Sequence, residues 1–424
     1  MKLEIEKAIY GGAGLARHEG KAIFVPFTLP GEVIEAEVKH SKSSYAEARL
    51  AQILTPSPQR VQPACQHYGV CGGCHYQHAS YEEQVRMKTA ILRESLQRAR
   101  MVDIPEIEAI IAAPLGYRNR IRLHIQQIPF ALGYLHGRSH KLLPIRECPI
   151  ADPSLNHAMH TLQDECAPQL SSWACEIEIF SDPSGGKLLI SIFTHSDASA
   201  AARKLNDLWR TLQAAVPTVA GCAAFTLPKG KGFPTLAAHA GANHLVYTAA
   251  GEPYCVSFGS FFQVNHFLID HMVAEVCNHH GGALAWDLFA GVGLFARQLA
   301  RTFSQVVAVE AAPASVTDLR TNLPNQRVLA KTTLQFLQNA ANRPAATPDY
   351  VVLDPPRAGL GTQAAELLAN IRAPQVTYVS CDPATLSRDL SSLLKSGYRL
   401  RKLQLIDLFP QTFHLETIAH LSLA

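Results

Sequence analysis

From residue 256 to the C-terminus, short apolar runs alternate with helix-like stretches. LAWDLFA leads to GLFARQLART, QVVAVE to ASVTDLRTNL, YVVLDPP to TQAAELLANI, and QVTYVSC to PATLSRDLSSLL. Such alternation implies a parallel, doubly wound sheet with helices between successive strands. The chain closes on YRLRKLQLIDLFPQTFHLETIAHLSLA, two strand-like runs around a short Pro-containing loop.

The rest of the chain reads differently. Residues 1–56 form a small β unit: KAIFVPFTLPGEVIEAEVKH gives two alternating strands around Leu29-Pro30-Gly31, after the glycine-rich YGGAGLARHEGK. TPSPQR is a linker. In SYEEQVRMKTAILRESLQRAR, Ser80 and Glu83 make a capping box at a helix start. Residues 57–255 then form a central division; from about 110 to 255 short strands alternate with loops, with one helical stretch near AARKLNDLWRTLQAAV. The expected division is therefore 1–56, 57–255 and 256–424. With 17% charged residues and no apolar stretch long enough for a membrane span, the chain is expected to be soluble, without a membrane partner. MKLEIEKAIYGG lacks the apolar region of a signal peptide, so a cytoplasmic location is expected.

The formal net charge of +3 does not by itself imply a nucleic-acid partner. Between Gln84 and Ile150, however, eleven Lys or Arg face five Asp or Glu. Alternation in YRNRIRLHIQ is expected to put Arg118, Arg120 and Arg122 on one strand face, open equally to solvent or RNA. Residues 1–55 hold seven basic and seven acidic residues, and so show no strong electrostatic footprint.

In an open α/β sheet, ligands bind beyond the carboxyl ends of the strands. In DLFAGVGLFA, Gly291 and Gly293 allow a tight turn into a helix N-terminus. Read as G-x-G-x-x-A, this loop also admits a dinucleotide and hence an oxidoreductase. Glu310, ending VVAVE, is placed to accept ribose hydroxyls from either cofactor. Asp354 follows YVVL in a Pro-rich loop, and Cys381 follows VTYV. Asp382 is expected to cap the next helix, with Pro383 in its first turn. Cys381 then lies before a helix N-terminus, where the dipole favours a thiolate while Asp382 opposes it.

Cys65, Cys71 and Cys74 stand at C-x5-C-x2-C, too close for chance in a chain expected to keep its thiols reduced. Three thiolates need a fourth ligand. His67, His75 and His78 are the nearby choices and suit zinc; Cys148, followed by proline, is the distant one. The remaining five cysteines outside these positions and Cys381 read as buried thiols.

FFQVN, DLFAGVG, LDPPRAG, SCDPATLSRDL and FPQTFHLE occur in the order found in the RNA uracil-C5 methyltransferases, and the chain resembles that family over nearly its whole length. GAGLAR and LPGEVIEAEV resemble its TRAM domain. The resemblance implies an α/β fold: a class I, Rossmann-like methyltransferase domain, an N-terminal OB-like TRAM β-barrel and a central α+β iron-sulfur domain. It implies S-adenosylmethionine as methyl donor, held by Gln263, Phe289, Glu310 and Asp354, with Cys381 as nucleophile and Glu416 as general base. It further implies a [4Fe-4S] cluster on Cys65, Cys71, Cys74 and Cys148, with zinc still open on ligand type.

The RNA implied is 23S ribosomal RNA, with tRNA as the alternative. A non-catalytic RNA-binding or assembly factor of the same fold is a further alternative. Two positions depart from the family pattern: Leu294 stands where asparagine is frequent, and SCDP where SCNP is frequent.

Overall fold

The computed structural model describes residues 1–230, 232–342 and 347–423. The chain packs into two units that are interleaved in sequence. One comprises Met1–Pro114, Pro355–Asn370 and Tyr378–Ala424; the other comprises Leu115–Asp354 and Ile371–Thr377.

The first unit opens with a six-stranded sheet, in the order Lys2–Glu4, Val33–Ser41, Tyr45–Thr55, Lys21–Pro26, Ala13–His18, Lys7–Ala8. Its apolar side chains alternate into one core: Leu3, Ile5, Ile23, Val25, Ile34, Ala36, Ala46 and Ala48 are all buried. The two strands expected around Leu29-Pro30-Gly31 are present. They do not pair with each other. Each pairs with Tyr45–Thr55, Lys21–Pro26 in parallel and Val33–Ser41 antiparallel. Glu32 fastens the intervening turn, because its fully buried carboxylate takes Arg60 at 2.5 Å and the Leu29 amide at 2.8 Å. Burial alone would raise its pKa, but these partners outweigh it and hold the carboxyl below its usual range.

The helix Tyr81–Arg98 follows, with Ser80 Oγ accepting the Glu83 amide as the capping box requires. In the same unit, Tyr398–Ile406 pairs antiparallel with Thr417–Leu423 and in parallel with Ile107–Ile110. The expected C-terminal pair of strands is thus a hairpin, and its connection is the loop carrying FPQTFHLE.

In the second unit, Gly282–Leu288 lies between Phe303–Glu310 and Tyr350–Leu353, with Arg327–Ala330 outside Phe303–Glu310, all parallel. The strand Gly282–Leu288 therefore has neighbours that follow it on both sides, which is the switch point where a doubly wound sheet opens a crevice. A seven-stranded sheet also belongs to this unit. It carries the helices Ala198–Ala215 and Pro153–Glu165, of which only the first was legible. Leu155, Met159 and Leu162 share one core with Leu205, Leu208 and Leu212 and with the strand residues Ile121, Ile177 and Ile190. No helix among the described residues is long and apolar enough to cross a membrane.

Candidate functional site

The glycine loop after Gly282–Leu288 gathers the second unit's candidates. Gly293 is the left-handed N-cap of Leu294–Leu299, with φ +95°. A Cβ there would stand 2.7 Å from the Leu319 Cδ1 methyl, which would have to shift, so it is the left-handed backbone that favours glycine. Phe289 also holds a positive φ, +68°, a conformation that costs a bulky side chain free energy and so needs support from its surroundings. That support is partly Glu310, whose carboxylate accepts Gly291 N–H at 2.9 Å, Ala311 N–H at 2.7 Å and Ala312 N–H at 2.6 Å.

Gln263 is buried, with its Nε2 3.4 Å from Asp354 Oδ2, while its carbonyl accepts Asn119 Nδ2 at 2.9 Å. Leu294, at the departure from the family pattern, is buried, and its carbonyl accepts the Tyr254 hydroxyl at 3.0 Å.

Asp287, in the same motif, is a candidate with no expectation from the sequence; it is the penultimate residue of the strand before the loop. One of its oxygens accepts Ala296 N–H at 2.8 Å; the other is buried and has no hydrogen-bond partner among the described residues. Burial pushes its carboxyl up to about 8, against the pull of that amide, and the negative neighbours Asp354 and Glu310 push the same way. Burial raises Asp354 as well. Three carboxylates around one glycine loop, with a polar glutamine beside them, suit a ligand carrying positive charge. A sulfonium with an ammonium group meets that requirement.

Cys381 belongs to the first unit. It directly follows the strand Gln375–Ser380 and precedes the helix Pro383–Lys395, whose N-cap is Asp382 as expected, accepting Ala384 N–H at 3.0 Å and Thr385 N–H at 2.9 Å. Cys381 is in no disulfide and is half-buried. Tyr10 reaches it from the N-terminal sheet, its hydroxyl 3.4 Å from the Cys381 carbonyl. Burial and the Asp382 carboxylate both push the phenol up, so Tyr10 stays protonated as a donor.

Glu416, also in this unit, is buried and closes the loop between the C-terminal strands, where its carbonyl accepts Ile406 N–H at 3.0 Å. The helix Tyr81–Arg98 holds that loop. Lys88 donates to Asp407 at 2.6 Å and to the Phe409 carbonyl at 2.9 Å, and the ion pair is almost completely buried. Burial lowers the Lys88 pKa and Asp407 opposes the shift. Gln84 makes two bonds to Gln411, through the Gln411 side chain at 3.0 Å and its amide at 2.9 Å. The Gln411 carbonyl in turn accepts His75 N–H at 2.8 Å and Tyr76 N–H at 2.9 Å.

Cys65, Cys71 and Cys74, in the first unit, and Cys148, in the second, are half-buried and in no disulfide. Cys71 Sγ accepts Gly73 N–H at 3.4 Å, and Cys65 N–H donates to Gln77. Of the alternative histidine ligands, His78 is buried with its Nδ1 against the Tyr68 hydroxyl. Thiols are donors of the type that binds an iron-sulfur cluster. Among the described residues, however, no three His, Cys, Asp or Glu side chains are gathered around one metal position.

The arginine face differs from expectation. The strand begins at Arg120, so Arg118 lies outside it, joined through backbone bridges to Ala151 and Asn265. Arg120 lies over Phe180 at 4.2 Å and pairs with Glu178 at 3.4 Å; Arg122 lies over Phe193 at 3.8 Å and pairs with Glu176 at 2.5 Å. The neighbouring strand Ala174–Asp182 supplies both carboxylates. The face is therefore ion-paired within the unit, which sequence could not reveal because that strand lies some fifty residues on.

Residues 345–423 match the tRNA (Uracil-5-)-methyltransferase family, and residues 1–51 match the TRAM domain. The 23S rRNA (uracil(1939)-C(5))-methyltransferase RlmD of Pectobacterium atrosepticum is 34% identical over 96% of this chain and 90% of its own length. The RlmD of Klebsiella pneumoniae is 32% identical over 96% and 92%. An uncharacterized RNA methyltransferase of Aquifex aeolicus is 33% identical over 99% and 97%. The crystal structure of Pyrococcus abyssi tRNA (uracil-54, C5)-methyltransferase in complex with S-adenosyl-L-homocysteine superposes with a TM-score of 0.77 at 22% identity, covering 99% of this chain and 100% of that one. That likeness shows the fold, a TRAM half-barrel with a Rossmann-like methyltransferase domain. By its near full-length identity to the RlmD enzymes, the chain belongs to the RNA uracil-C5 methyltransferase family with an N-terminal TRAM domain.

Proposed function

We propose that the protein transfers the methyl group of S-adenosylmethionine to carbon 5 of a uridine in 23S ribosomal RNA. The observation that carries the choice of RNA is the alignment with RlmD enzymes over 96% of this chain. A tRNA target is the second reading, favoured by the fold of the archaeal tRNA enzyme.

Carbon 5 of uracil is a weak nucleophile. In this reading the Cys381 thiolate adds to carbon 6, and the electron pair of the 5,6 double bond becomes available at carbon 5. S-adenosylmethionine, when bound, supplies the methyl group. Glu416 then takes the proton from carbon 5, the double bond re-forms, and Cys381 leaves as thiolate. Gln263, Phe289, Glu310 and Asp354 hold the cofactor. The carboxylates around the glycine loop support this assignment, because a cationic ligand relieves their mutual repulsion.

Cys65, Cys71, Cys74 and Cys148 are the residues that would carry a [4Fe-4S] cluster; no step of the reaction above needs an electron. Iron and sulfide analysis of protein purified without oxygen tests the cluster, and Cys148→Ser is expected to lose iron and to weaken folding or RNA binding. Full iron content and unchanged affinity in that variant would remove the cluster assignment.

Mass mapping of 5-methyluridine in ribosomal and transfer RNA from a deletion strain tests the substrate. Loss of one 23S site, restored by the wild-type gene and not by Cys381→Ala, is expected; loss confined to tRNA selects the second reading.

A further inference from the structure

One group of rings in the first unit has no part in the chemistry above. Phe413 lies in the loop that leads to Glu416 and is only half-buried. Three rings surround it: His75 at 4.6 Å, His414 at 4.3 Å and Tyr10 at 5.5 Å, the last nearly edge-on at 89°. Beyond His414, the exposed Arg357 guanidinium has one nitrogen 3.3 Å from both imidazole nitrogens. The Tyr10 hydroxyl fixes the group beside the nucleophile, through its 3.4 Å contact with the Cys381 carbonyl.

These side chains come from four separate stretches: the first turn of the N-terminal sheet, the end of the cysteine loop, the loop after Asp354, and the loop before Glu416. Their backbones are tightly held. The Gln411 carbonyl binds the His75 and Tyr76 amides, and Gly12 approaches so closely that a Cβ on it would stand 3.1 Å from His75 Cβ. Glycine at residue 12 also takes φ +90°. A partly exposed phenylalanine, steadied by aromatic edges and flanked by a cation, offers a π-face to a planar ring and a positive charge to a phosphate.

We propose that Phe413, supported by Tyr10, His75 and His414, is a stacking platform for one unstacked base of the RNA substrate, with Arg357 contacting the adjoining phosphate. The proposal rests on the uracil-methylation reading. A base that must be attacked at carbon 6 has left its helix, and it or its displaced neighbour needs a new stacking partner. The platform also gives the N-terminal sheet, whose charges balance, a way to contribute to RNA binding through one ring rather than through net charge.

The test is steady-state methyl transfer from labelled S-adenosylmethionine to total RNA from a deletion strain, using the full-length protein. Wild type, Phe413→Ala and Phe413→Tyr are compared. Phe413→Ala is expected to raise the RNA KM about 10-fold, the range for losing one base–aromatic stack, with the cofactor KM unchanged. Phe413→Tyr keeps a π-face and is expected to stay within about 2-fold of wild type, which separates stacking from misfolding. An unaltered RNA KM in Phe413→Ala, or equal losses in Phe413→Ala and Phe413→Tyr, overturns the platform while leaving the methylation reading intact. A wild-type protein that methylates no uracil overturns both.

Discussion

The glycine loop of the second unit and the Glu416 loop of the first are held in opposite ways. Around the glycine loop, the fastening bonds join residues near in sequence: Asp287 to Ala296, nine positions apart, and Gly291 to Glu310, nineteen apart. Around the Glu416 loop they join Lys88 to Asp407 and Gln84 to Gln411, more than three hundred positions apart. One region is built by a strand, a turn and a helix N-terminus in succession. The other exists only once a distant helix has docked. Local construction leaves a motif, whereas long-range construction leaves isolated polar residues whose partners cannot be read from spacing.

This contrast can be broken most directly at Lys88. Lys88→Met leaves Asp407 buried without its cation, and a loss of about 3–5 kcal/mol in denaturant unfolding is expected. A Lys88→Met/Asp407→Leu double variant is expected to recover much of that loss, because it removes the stranded charge. Affinity for S-adenosylmethionine, measured by calorimetry on whatever fraction stays folded, should be unchanged in both. Cofactor binding that falls in parallel with stability would show that the two loops do not act separately.

Gly293→Ala addresses the local side. The left-handed backbone costs an alanine about 1–2 kcal/mol, before the contact with Leu319 is counted. Weakened cofactor binding with normal RNA affinity is expected, measured by calorimetry and by filter binding. An alanine variant that binds the cofactor normally would mean that the αL turn is dispensable.

Asp287→Asn sharpens the comparison through pH. Asp287 is raised in the folded protein to about 8, so between the ordinary carboxyl range and that value the folded state binds more protons than the unfolded one. The stability it contributes is therefore complete below about pH 4 and is lost as pH rises toward 8. In the ligand-free protein, a plot of unfolding free energy against pH should fall more steeply across this window for wild type than for the asparagine variant. A cationic cofactor favours the ionised carboxylates, so its affinity should rise over the same window, and less so in Asp287→Asn. Parallel slopes for the two proteins would remove Asp287 from the site.

Much of this was legible in sequence because it is short-range. The Ser80 and Asp382 caps and the glycine turn each depend on residues a few positions apart, where residue type dictates backbone geometry. The helix Pro153–Glu165 was missed although Asp152 and Pro153 carry a cap and first-turn signal, since its apolar positions lie within a region dominated by strands. The strands on either side of Leu29-Pro30-Gly31 were identified, but not their partner, because pairing depends on register with Tyr45–Thr55 rather than on the turn between them.

The amino-acid sequence alone determined the family, the parallel character of the methyltransferase sheet and the identity of the residues offered for chemistry, since each is carried by contiguous motifs. Only the tertiary structure decided what surrounds them. It neutralised Arg120 and Arg122 with the carboxylates of a neighbouring strand, pressed Asp287 into a low-dielectric site among other acids, and brought Tyr10 to Phe413 and Cys381. The reason is physical: charge, burial and ring contact depend on distance in space, and a chain that folds back on itself makes that distance independent of position in sequence.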